Sequence, residues 1–214
     1  MRENAEFIYE LIYSQVRMGF FTADEIKENI LQEIEANEFN EEISEEWVNE
    51  IVDEEYQQLL IESLFWDKPT DTERLINAFD ELCRMNIIAL HNVGYTSREG
   101  KYEVIDVEAE LNNYNKFSDG YCFYHERDLL RVIALENSGL QISFQKIDNY
   151  QDIVTINVGR KIVEVLNKNN FTVVWDESST SKIEIQNFKW QYIFGMNNRD
   201  LQDYGAVVDL ILKG

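Results

Sequence analysis

The run His125-Glu126-Arg127-Asp128 sets a histidine beside carboxylates, the residue types of acid–base chemistry. A histidine changes charge near neutral pH, and neighbouring carboxylates tune that change. The run falls where an aromatic strand pattern gives way to a helical one, so Asp128 also suits an ordinary first-turn acid or N-cap. Asn92 follows a second strand pattern, and open α/β sheets place ligands at strand ends. His125, Asp128 and Asn92 are therefore the catalytic candidates, with capping and packing as the competing role.

Other chemistries find less support. His91, Cys122 and His125 are metal-ligand types, but Cys122 and His125 lie three apart and point to opposite faces of a strand. No C-x2-C or H-x3-H spacing accompanies them, so neither a metal site nor a cofactor is expected. Residues 92–100 form a glycine-containing turn able to cradle an anion, yet without G-x-G-x-x-G or G-K-[ST]. No G-x-S-x-G nucleophile elbow is present. The two cysteines, Cys83 and Cys122, sit in apolar patterns and read as buried thiols.

Charge is the strongest signal. The 214 residues carry a formal net charge of −22. Residues 1–65 hold 18 acidic and 3 basic side chains, which leaves −15 there. Such a surface repels phosphate backbones and anionic membranes, so nucleic acid and membrane are not expected partners. It steers the chain toward basic proteins. Glu45, Glu46, Glu50, Asp53 and Glu54, on one predicted helix, are the candidate partner-binding residues; a solvated face is the competing reading.

Residues 1–65 read as three helices. Phe7, Ile8, Leu11, Ile12 and Val16 keep helical spacing up to Gly19. Thr22-Ala23-Asp24-Glu25 is a capping box, and Ser44 opens the third helix with Glu45 and Glu46 in its first turn. The single proline, Pro69, marks the boundary, followed by a second capping box at Thr70-Asp71-Thr72-Glu73. Beyond it the spacing predicts helices at 70–85, 99–114, 126–137, 150–169 and 199–212. Strands are predicted at 87–91, 120–125, 140–144, 171–175 and 182–185. The expected fold class is α+β. An acidic helical subdomain of about three helices (1–65) precedes a sandwich-like body (66–214) with one mixed sheet and helices mainly on one face.

Within 66–192 the chain resembles an uncharacterised bacterial domain-of-unknown-function family, frequent in actinobacteria. The resemblance rests on Trp66 with Thr70-Asp71-Thr72-Glu73-Arg74-Leu75, on Gly120-Tyr121-Cys122-Phe123-Tyr124-His125 with Asp128, and on Val173-Val174-Trp175-Asp176 with Trp190. It departs at Val93-Gly94-Tyr95, where the family pattern places cysteines. The resemblance implies a fold and no activity.

No apolar run approaches the roughly 18 residues of a membrane span, and the first residues lack a signal-peptide pattern, so a cytoplasmic address is expected by elimination. The functional expectation is a non-catalytic interaction module with an acidic docking surface, in concrete form an immunity-type protein that neutralises a basic toxin. The alternative is an enzyme or small-ligand sensor with a pocket near His125 and Asp128.

Overall fold

A computed structural model describes residues 2–149, 151–196 and 200–214. The chain forms two compact units: Met1–Lys68 with Gln191–Asp200, and Pro69–Trp190 with Leu201–Gly214. The sequence boundary had placed 191–200 with the second part of the chain.

The first unit is built on α1 (Arg2–Met18), α2 (Ala23–Ala36) and α3 (Glu45–Ser63). Each turns one apolar stripe inward: Ile8, Ile12 and Val16; Ile26, Ile30 and Ile34; Val48, Val52 and Leu59. These recur at four or seven residues, the spacing of one helix face. Phe7, which shares the predicted stripe of α1, is 43% exposed instead. Helix α1 ends at Gly19, whose φ of +71° is left-handed. A Cβ there would lie 2.5 Å from the Tyr192 carbonyl oxygen, so returning residues 191–200 demand a glycine at this point. The Thr22–Glu25 capping box closes reciprocally, and Ser44 accepts from Trp47 N to start α3.

The second unit runs α4 (Asp71–Arg84), β1 (Ile87–Leu90), α5 (Ser97–Asn112), β2 (Gly120–Phe123), α6 (Glu126–Ala134), β3 (Leu140–Gln145), α7 (Asp152–Lys168), β4 (Val173–Val174), β5 (Ile183–Ile185) and α8 (Tyr204–Lys213). Its five-stranded sheet has the order β1-β2-β3-β5-β4. The β1–β2 pair is parallel, with α5 as the crossover such a pair requires; the other pairs are antiparallel. The sheet is therefore mixed, as expected. Predicted strand 171–175 shortens to Val173–Val174; beyond it the Trp175 indole N–H donates to the Ser178 carbonyl oxygen. The predicted helix starts at 150 and 199 lie outside the described residues.

Strand periodicity assigns the faces. Gly120 approaches Val158 of α7, and Phe144, opposite Cys122, meets Gly159 of the same helix. Leu140, Ile142 and Phe144 are thus the buried face of β3. Tyr121 and Phe123 point the other way, where Gly100 of α5 lies against the Phe123 ring. Their cross-strand partners on that face are Gln145 and Ser143, both half-buried. Among the described residues, no helix is long and apolar enough to cross a membrane.

Candidate functional site

His125 leaves the end of β2 and serves as the N-cap of α6, in an extended conformation with φ −104° and ψ 165°. Strand and helix together hold the imidazole: its side chain is 8% exposed and that of Asp128 7%. Nδ1 lies 3.2 Å from the Asp128 backbone nitrogen and 3.2 Å from Oδ2 of the same residue. Immediately before β5, Lys182 brings its ammonium 2.8 Å from Asp128 Oδ2 and 3.0 Å from His125 Nε2.

The tautomer is assigned from the Lys182 contact. An ammonium only donates, so Nε2 accepts from Lys182. A neutral ring then carries its proton on Nδ1, facing the Asp128 carboxylate. The Asp128 backbone N–H has the His125 carbonyl oxygen at 2.9 Å as its acceptor. Burial is the main force holding the His125 pKa below its usual value; Lys182 and Arg127 push the same way, against the pull of Asp128. His125 is accordingly neutral at physiological pH, with both ring nitrogens engaged.

The three side chains form the floor of a cleft of 620 Å³, completed by Thr96, Ser97, Arg127 and Arg131. Arg127 and Arg131 stand four residues apart on one face of α6, both exposed. Arg131 reaches the Gly139 carbonyl oxygen at 2.7 Å. The lining thus carries three cations and one carboxylate, a basic pocket in a chain of net −22. Two more carboxylates stand close by. Glu99 closes the capping box of α5, accepting from Tyr95 N and Thr96 N at 2.8 Å each, and these hydrogen bonds hold its pKa low. Glu126 is pushed up by burial and by Glu99.

The structure brings His125 and Asp128 together but leaves Asn92 off the cleft lining. Asn92, two residues past β1, lies in the left-handed region at φ +48°, and its carbonyl oxygen accepts from Gln202. His91 stacks on Phe79 with ring centroids 4.6 Å apart, inside the core. Cys122 is fully buried, and burial pushes its thiol pKa well above the ordinary value. Among the described residues, no group of three or more His, Cys, Asp or Glu is placed to hold a metal. In the first unit Glu45, Glu46, Glu50, Asp53 and Glu54 are all exposed; Asp53 pairs with Lys27 at 2.7 Å.

Lys182, Arg127 and Arg131 were not foreseen from the sequence. The i,i+4 arginine spacing was a readable signal. Lys182 lies 57 residues beyond His125, and only the pairing of β5 with β3 brings it near.

Fold and cleft define a class: an α+β protein whose polar site lies at a strand-to-helix junction, beyond the end of a sheet strand. The chain belongs to the family described as Domain of unknown function (DUF6891), matched over residues 1–194. That match takes in the three N-terminal helices, which the resemblance from 66 to 192 leaves out. No curated protein and no solved structure matches the chain.

Proposed function

We propose that the second compact unit binds a small anion, a carboxylate or phosphate, in the cleft over His125 and Asp128, and that it does so as a non-catalytic ligand-sensing module. The observation that carries this reading is the state of Lys182. Two of its three N–H donors are fixed by Asp128 and His125, which leaves the third for a ligand. Arg127 and Arg131 add fork-shaped donors suited to planar or tetrahedral anions. The histidine supports the lysine; with both ring nitrogens engaged, it is poorly placed to act as a base.

Calorimetric titration of the full chain with inorganic phosphate at low ionic strength tests the reading. Binding is expected, and Arg127→Gln, which alters an exposed side chain, should weaken it about tenfold, the loss of one charge-assisted hydrogen bond. Unchanged affinity in that variant, or no phosphate binding, contradicts the reading.

A second reading concerns the first unit. Five exposed carboxylates on α3, in a region of net −15, support docking to a basic protein of immunity-target type. Capture of such a partner at low salt, lost in a Glu45→Gln, Glu46→Gln, Glu50→Gln, Glu54→Gln variant, would support it. Equal capture by the variant would remove it.

A further inference from the structure

We propose that the basic cleft is the end stop of a longer trough, which holds an extended peptide by its free C-terminal carboxylate. The inference rests on the anion-binding reading and adds the class of ligand. Ser97 and Lys182 of the cleft also border a second depression, of 230 Å³. Its floor is the sheet face of Ser143 and Gln145, with the buried rings of Tyr121 and Phe123 beside them. Lys101, Tyr121 and Gln145 in turn border a third depression, of 280 Å³. The shared lining residues set the three depressions side by side along α5 and β3.

The lining changes along the trough in the way a peptide would use. At one end are Arg127, Arg131 and Lys182, a match for a planar carboxylate. In the middle, Ser143 and Gln145 project from β3 at a two-residue interval, roughly 7 Å, the repeat of an extended chain. At the far end Val104, Ile105, Ala109 and Ile147 form an apolar wall, with Ile105 52% exposed and able to cover a side chain. Lys101, Glu108, Lys146 and Asp148 balance one another there, which suits an uncharged backbone. An alkyl tail would strip water from Ser143 and Gln145 and return no hydrogen bond, so a fatty acid fits worse. Strand β3 ends at Gln145, so Ser143 to Gln145 spans roughly 7 Å of β-geometry, and the cleft and the far depression lengthen the trough on either side. Capture of a free carboxylate at the end of an extended segment is an established mode of peptide recognition.

The test uses the full 15N-labelled chain and three probes: inorganic phosphate, a pool of N-acetylated hexapeptides with free carboxylates, and the same pool amidated. The free-carboxylate pool should shift amide resonances of Ser97 and Lys182 together with Gln145 and Ile147. It should bind about tenfold tighter than the amidated pool. Ala109→Arg, on the exposed far wall, should weaken the peptide pool and leave phosphate binding unchanged. Shifts confined to the cleft, equal binding of the two pools, or no effect of Ala109→Arg would overturn the trough while leaving the anion reading standing. Absence of both phosphate and peptide shifts would remove both.

Discussion

The neutral imidazole of His125 couples the cleft to pH. Its folded-state pKa lies below the unfolded value of about 6.5 because burial disfavours the cation and Lys182 stands beside it. As pH falls, the unfolded chain therefore binds this proton first. The histidine's contribution is complete above about pH 6.5 and is lost as pH falls through the window down to the folded pKa. Asp128 narrows that window by pulling in the opposite sense, and burial raises the neighbouring Glu126 carboxyl. His125→Asn puts a good capping side chain at this position without the titration. Its melting temperature should vary less between about pH 7 and pH 5 than that of the parent chain. Parallel curves for the two proteins would show that His125 does not carry the dependence.

At the scale of elements, close approach rather than propensity decides what is tolerated. Gly159 lies inside α7, where alanine would favour the helix by about 1 kcal/mol. A Cβ at that point would stand 2.6 Å from Trp175 Cη2 and 2.8 Å from Phe144 Cε2. Overpacking typically costs about 1–3 kcal/mol, so Gly159→Ala should lower stability in urea unfolding despite its better helix former. A gain would mean that the Trp175 ring shifts freely. The same contrast explains which elements could be read in advance. The Thr22 and Thr70 capping boxes and the alternation of β3 are local patterns, and they appear as read. Thr96 to Glu99 forms a third such box, which the predicted helix start at 99 misses; the exposed Tyr102 and Ile105 interrupt the stripe of Val104, Val107 and Leu111. The cleft was half legible: His125 and Asp128 are neighbours in the chain, whereas Lys182 arrives through strand pairing that no local pattern encodes.

Over the whole molecule the decisive quantity is charge. With 18 acidic against 3 basic side chains in residues 1–65, most carboxylates there have no cation available. The repulsion is not uniform along α3, and two substitutions of equal charge should act in opposite directions. Glu45 and Glu46 occupy the first turn of α3, where the positive end of the helix dipole favours them. Glu50 and Glu54 are exposed mid-helix like charges four residues apart, a pairing that costs a few tenths of a kcal/mol. Glu50→Gln with Glu54→Gln should therefore raise stability at low salt, and Glu45→Gln with Glu46→Gln should lower it, each by about 0.3–1 kcal/mol. Screening shortens the reach of these fields to about 10 Å at 0.1 M salt, so both differences should shrink as sodium chloride is added. Urea unfolding of the two double variants at low and moderate salt measures this directly. A shift of the same sign in both would mean that overall charge, rather than position on the helix, governs the stability of the acidic unit.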